Sequence, residues 1–190
     1  MSLLVWFFFI VALLFAIMVL LWSFSSVLSF IFGAPPINTP EVDICDAIAC
    51  VKPKKGETII DLGCGDGRIL LTAAKQFGLK GIGYELSPWN NFLSRIKVIA
   101  HNLTNEIKIH QKNFYFCDIS KADIIYLYLL PETLKNLTKK FLLQLKPEAR
   151  IISYAFPIPG WSAETVKTSN RNKNIKYYTY SIKKILKIMN

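Results

Sequence analysis

Two carboxylates and three glycines carry the chemistry this sequence can do. Asp61 closes a short β-branched run, Thr58-Ile59-Ile60, and is followed by Leu62-Gly63-Cys64-Gly65-Asp66-Gly67-Arg68. Glycines at 63, 65 and 67 let a strand turn sharply into a helix, accept positive φ and let a ligand approach the backbone. The helix that follows offers unpaired N–H groups to a carboxylate or phosphate. Glu85 stands 20 residues after Gly65, where a ribose-binding acid falls in a nucleotide-binding βαβ unit. A single Gly-x-Gly is an ordinary βα turn. Acids at the ends of two successive strands make this one a candidate site for a ribose-bearing ligand.

The elements that must position these residues follow from periodicity. Thr58–Leu62 reads as a strand, and Ile69, Leu70, Ala73, Ala74 and Phe77 have the spacing of a helix packed on a sheet, ended by Gly78. Residues 81–86 form a second strand that ends near Glu85, and Ser87 caps a helix with Pro88 at its start, running to about Ala100. Residues 107–112 alternate as a third strand, and the apolar run 124–129 is a central parallel strand. A helix covers 132–143, a fifth strand 149–156, and a last, antiparallel strand 176–183. Before all of these, Thr39 is expected to cap a helix over 41–51, with Pro40 at its first position. Strands alternating with helices define an α/β, doubly wound sheet. Gly63 to Gly67, Glu85, Asn113-Phe114 and Leu130-Pro131 all fall at the carboxyl ends of its strands, where ligands bind in such sheets.

Composition divides the chain. The first charged side chain is Glu41, so all 23 Lys+Arg and all 13 Asp+Glu lie from there onward and carry the net charge of +10. From Leu3 to Trp22 there are 20 consecutive apolar residues, and about 20 helical residues span a bilayer core. A cleaved signal peptide would have a basic leading region and a shorter apolar run. The expected organisation is a transmembrane anchor at 1–32 in contact with lipid through residues 3–32, a linker and helix at 33–57, and a folded domain at 58–190. Basic segments stay on the cytoplasmic side, so the domain is expected to face the cytoplasm or an equivalent compartment. Cys45, Cys50, Cys64 and Cys117 have no metal-ligand spacing and read as free thiols; no metal is expected.

The stretch 61–67 resembles the first motif of class I S-adenosylmethionine (SAM) methyltransferases, whose Gly-x-Gly-x-Gly differs from the Gly-x-Gly-x-x-Gly of NAD enzymes. The resemblance implies a Rossmann-like class I methyltransferase sheet with SAM as cofactor. It places Asp61, Gly63, Gly65 and Gly67 around the methionine end, Glu85 on the ribose hydroxyls, and Asn113 and Phe114 on the adenine. Gly83-Tyr84-Glu85-Leu86-Ser87-Pro88-Trp89 and Ala155-Phe156-Pro157-Ile158-Pro159-Gly160-Trp161 resemble the small membrane-anchored lysine methyltransferases. That family includes mitochondrial enzymes acting on the ATP-synthase c-subunit and on the adenine nucleotide translocase. Pro36 departs from the aromatic residue expected there.

The implied activity is N-methylation of a lysine in a membrane-associated protein. Transfer requires a neutral amine, against a reference pKa of about 10.4, and a partly apolar mouth favours that form. Tyr126, Tyr128, Leu130, Pro131, Phe156 and Trp161 are candidates to line the mouth, and Asp118 is the nearest carboxylate. Asp118, Tyr128 and Pro131 are therefore the acceptor-site candidates. Methylation of a lipid or quinone is the alternative that also fits an anchor, and a non-catalytic SAM-binding scaffold is the third. Nucleic-acid methylation would use the basic tail from Lys167 through Arg171 to Lys187, but Leu129-Leu130-Pro131-Glu132 lacks the polar and aromatic residues of the [NDS]-P-P-[YF] motif.

Overall fold

The centre of the sheet is the run with least polar character. Ile124–Leu127, strand β4, is buried at all four positions, as a strand covered on both faces must be. The computed structural model describes residues 3–31, 39–169 and 173–189. Residues 33–38 of the expected linker, Pro36 among them, lie outside the described residues, as do 1, 2 and 32 of the expected anchor and Arg171.

The elements before β4 are α1 (Leu3–Ile31), α2 (Glu41–Cys50), β1 (Thr58–Leu62), α3 (Arg68–Phe77), β2 (Lys80–Glu85), α4 (Pro88–Ala100) and β3 (Ile107–Gln111). After it come α5 (Pro131–Gln144), β5 (Arg150–Tyr154), β6 (Thr165–Thr168), β7 (Lys176–Ser181) and α6 (Ile182–Met189). Seven strands form one sheet in the order β3-β2-β1-β4-β5-β7-β6. The first five are parallel, and β7 joins antiparallel to both β5 and β6. The expected doubly wound sheet with an antiparallel final strand is therefore present.

Alternation along the strands sends successive side chains to opposite faces. Ile59, Ile124, Tyr126, Ile152 and Tyr154 meet α2 and α3 through Ile44, Ile48, Leu70 and Ala73. Ile60, Leu62, Ile125, Leu127 and Ile151 meet α5 through Leu134, Leu137 and Phe141. Ser87 caps α4 as expected, its side chain accepting from the Asn90 N–H at 3.2 Å with Pro88 next. The expected cap of α2 is corrected: Pro40 itself takes the N-cap position at φ −62° and ψ 144°, with no side-chain cap bond. Thr39 instead lies buried, with its carbonyl 3.4 Å from Arg68 Nη1.

Two elements depart from the expectation. Edge strand β6 is four residues with little burial, too short and polar for an alternating pattern. Helix α6 replaces the end of the expected last strand, because Tyr178, Tyr180 and Ile182 prolong the alternation while Ile182, Ile185 and Leu186 already carry helical spacing. Helix α1 is 29 residues long. Its stretch Leu3–Leu21 is long and apolar enough to cross a membrane, and none of it is buried within the protein.

One buried polar junction holds α2 to the far half of the chain. The Tyr154 hydroxyl donates to Asp43 Oδ2 at 2.6 Å and the Ser169 hydroxyl to Oδ1 at 2.7 Å, with Asp43 fully buried. Hydrogen bonds to charged groups contribute about 1.5–3 kcal/mol each. Tyr154→Phe is expected to lower the unfolding free energy by about that amount, measured in urea, and a change within error would show that the junction is not stabilising.

Candidate active site

The strand order reverses between β1 and β4, and ligands in open α/β sheets bind beyond the carboxyl ends of the strands at that point. The residues 61–67 occupy it. Gly63, Gly65 and Gly67 have φ of 85°, 53° and 79°, in the left-handed region that glycine enters without steric cost. A Cβ on Gly65 would meet nothing within 4 Å, whereas one on Gly67 would come within 3.1 Å of Ser94 Cβ. The loop is thus open on its Gly65 side and pressed against α4 on its Gly67 side.

Glu85 ties the parts together. Its Oε2 accepts the Gly65 N–H at 2.8 Å and its Oε1 accepts the Ser87 N–H at 2.7 Å. The Tyr84 carbonyl accepts from the N–H groups of Gly63 and Cys64 at 2.8 and 3.1 Å. A carboxylate offers about four acceptor sites, more than these backbone groups use, so a vicinal diol has an acceptor waiting. Burial raises the Glu85 carboxyl above its ordinary range, and the backbone N–H groups from Ser87, Gly65 and Leu86 oppose that rise.

Asp61 and Tyr126 are neighbours in register across β1 and β4. Asp61 Oδ2 and the Tyr126 hydroxyl are both buried without a hydrogen-bond partner of normal geometry among the described residues. Burial, then the charges of Glu85 and Asp66, push the Asp61 carboxyl well up. A buried unpaired acid is costly, and a ligand ammonium is the kind of partner that relieves it. These orphaned atoms, the open side of Gly65 and the free lone pairs of Glu85 fit the ammonium and ribose of SAM.

The third acid of the loop is already paired. Asp66 accepts from Arg68 Nε at 2.9 Å and Nη2 at 2.8 Å, and from Lys97 Nζ at 2.5 Å. Burial raises its carboxyl, but the bonds to Arg68 and Lys97 outweigh burial and bring it down to about 2. This clamp between the loop, α3 and α4 is not visible in sequence, because Lys97 reaches Asp66 from 31 residues away. Gly83 likewise carries no local signal. A Cβ there would lie 2.6 Å from Cys64 Sγ and 2.8 Å from Leu70 Cδ1, so the loop and α3 seat only against a bare strand.

The other sequence-selected residues divide. Asn113 follows β3, and its Oδ1 accepts from the Tyr115 N–H at 2.9 Å, which leaves its amide N–H groups for a ligand. The Phe114 ring is buried against Tyr115 with a centroid distance of 4.9 Å. Asp118 is exposed; the hydrogen bonds from Ser120 to its carboxylate hold its carboxyl below the usual range. The Asp118 carbonyl accepts from the Tyr84 hydroxyl at 3.0 Å. Tyr128 is half-buried, edge-on to Tyr154 at 5.0 Å, and Pro131 is exposed at the start of α5. Tyr126 and Trp161 do not share a mouth. Tyr126 is fully buried on the α2 face, whereas Trp161 packs with Phe141 and Tyr180 on the α5 face. All four cysteines are free.

This sheet order, with an acid-ended glycine loop at its switch point and a second acid ending the next strand, defines a class I SAM-dependent methyltransferase. The match to known proteins narrows the class. The chain belongs to the family described as the ANTKMT methyltransferase domain, whose model matches residues 61–165. A protein-lysine N-methyltransferase of Saccharolobus islandicus (strain REY15A) is 32% identical over 157 residues, 82% of this chain and 98% of that protein. The human lysine N-methyltransferase of the ATP-synthase c-subunit is 28% identical over 131 residues, 69% of this chain, and the match spans 54% of the human protein. Among solved structures, an RNA methyltransferase from Salinibacter ruber in complex with S-adenosyl-L-homocysteine has a TM-score of 0.73 at 25% identity, covering 77% of this chain and 94% of that one.

Two measurements test the site. Glu85→Ala removes two charged acceptors and is expected to weaken SAM binding at least about a hundredfold by calorimetry; unchanged affinity in a folded variant would refute the ribose role. Asp66 has a lower pKa folded than the reference of about 3.9, so its stabilisation is complete above about pH 4 and is lost as pH falls towards 2. Urea midpoints measured across that window are expected to fall more steeply for the native chain than for Asp66→Asn. Parallel curves would show that the clamp contributes nothing.

Proposed function

We propose that this protein methylates the side-chain amine of a lysine in a membrane protein, working from the bilayer surface to which α1 tethers it. The observation that carries this reading is the junction of a methyltransferase domain to a fully exposed apolar segment, Leu3–Leu21. A soluble substrate would not require it. The lysine methyltransferases among its relatives support an amine acceptor. All cationic side chains follow the segment, which supports a single-pass anchor with the domain on the cytoplasmic or equivalent side.

When bound, SAM supplies an electrophilic methyl group on its sulfonium. The chain's own part is to hold and align. Asp61 takes the ammonium end, the 63–67 backbone encloses the methionine portion, Glu85 accepts from the ribose and Asn113 meets the adenine. Methyl transfer is an in-line displacement, so most of the acceleration comes from positioning. The acceptor amine must arrive neutral. Tyr128 and Pro131, beyond the end of β4, form an apolar approach that favours the uncharged amine. Asp118, held by Ser120 and carried on the Tyr84 hydroxyl, is the carboxylate assigned to orient the incoming amine.

Incubation of the protein with radiolabelled SAM and native membranes, followed by mass spectrometry, tests the proposal. Label is expected on lysine of an integral membrane protein, and Asp118→Asn and Tyr128→Ala are expected to lower transfer while leaving SAM affinity unchanged. Label recovered in lipid or RNA would overturn the lysine reading.

A further inference from the structure

Helix α4 turns an apolar ridge to the outside. Trp89, Phe92, Ile96 and Ile99 recur at intervals of three and four, which at 3.6 residues per turn confines them to an arc of about 80°. The opposite side of α4 does the packing, through Asn91, Ser94 and Val98. Phe92 is 55% exposed, Ile96 45% and Ile99 63%, and the Trp89 ring lies 6.2 Å from that of Phe92. Elsewhere in the described domain the exposed large apolar residues stand one to an element: Val42, Phe116, Leu143, Val166, Ile188. Scattered single residues of that kind need no explanation, but a contiguous ridge does.

The neighbouring helix indicates what covers the ridge. Helix α1, the apolar segment, packs against α4, yet leaves the ridge exposed. The ridge thus lies on the helix that touches α1, which among the described residues is the element long and apolar enough to enter lipid. Arg95 stands exposed beside it, its guanidinium also donating to the Ile109 carbonyl at 3.1 Å, and the net charge of +10, all of it carried from Glu41 onward, draws that part of the chain to an anionic leaflet. Trp89 is of the type that settles at a membrane interface.

We propose that α4 lies on the bilayer as a second membrane contact, its Trp89, Phe92, Ile96 and Ile99 ridge immersed at the headgroup boundary while α1 spans. An amphipathic helix with aromatic and aliphatic residues on one face binds in this way. Because Leu86 and Ser87 alone separate Glu85 from α4, this contact fixes the rim of the cofactor site close to the membrane surface and sets which side of the domain a membrane substrate meets. The inference rests on the proposal that α1 is a membrane anchor.

The test uses the full chain, with Cys45 and Cys50 replaced by serine, reconstituted in vesicles of phosphatidylcholine and phosphatidylglycerol. Nitroxide labels go on Phe92→Cys, Ile96→Cys, Leu14→Cys in α1, and Lys139→Cys in α5 as the aqueous reference. At 92 and 96, collision with oxygen relative to a water-soluble nickel chelate is expected to be several-fold higher than at 139. Labels at 92 and 96 that match 139 while 14 is immersed would overturn the α4 contact and leave the anchor standing. If 14 also matches 139, both readings fall. Labels at 92 and 96 shielded from both reagents would mean a protein covers the ridge, and would overturn the contact as well.

Discussion

The Glu85 carboxylate is the tie on which the site depends. It joins the β1–α3 loop, through Gly65, to the β2–α4 turn, through Ser87. Removing it would strip the half-buried Gly65 N–H and the buried Ser87 N–H of their acceptor and untie the ends of two neighbouring strands. Its near-complete burial makes those bonds stronger than they would be in water. The same side chain thus shapes the loop and, in the proposed function, accepts from the ribose. That is why a strand-end acid at this spacing is informative, where a glycine pattern alone is not.

Around that tie the three loop acids are treated unequally. Asp66 is neutralised by Arg68 and Lys97, and Glu85 accepts from backbone N–H groups, but Asp61 keeps a buried, unpartnered oxygen on the strand position that pairs with Tyr126. A buried polar group without a partner is a local violation of the rules that hold elsewhere in the fold, and such violations concentrate where function is located. The energy of that unmet pairing is available to a cationic ligand, so part of the binding free energy is stored in the protein beforehand.

The strands, the glycine loop and Glu85 are legible in sequence because each rests on short-range patterns: a β-branched run, alternating glycines, a capped helix start at Ser87. The ends are less so. Tyrosine alternation and isoleucine helical spacing overlap at Ile182, so the last strand reads through into α6, and β6 carries too few buried residues to register. Thr39 has the chemistry of a cap, yet Pro40 already supplies the extended backbone an N-cap needs, leaving Thr39 buried with its carbonyl towards Arg68. The Asp66 clamp, the Gly83 clearance and the separation of Tyr126 from Trp161 are tertiary facts. Each depends on how different elements are placed relative to one another, which no local periodicity reports.

The Asp43 junction has a consequence for how the chain is made. Asp43 waits for Tyr154 and Ser169, 111 and 126 residues further on, and the carbonyls of Val51 and Lys52 wait for Arg150. Contacts so distant in sequence form late, after the entropy of closing a long loop has been met. Helix α2 can dock early on its neighbours β1 and α3, through Ile44 and Ile48 against Ile59, Leu70 and Ala73, but its buried Asp43 has neither hydroxyl partner until residues 154 and 169 have been added. The Asp43 junction and the Arg150 bonds are therefore among the last contacts to close, although the helix they secure precedes the whole sheet in the chain.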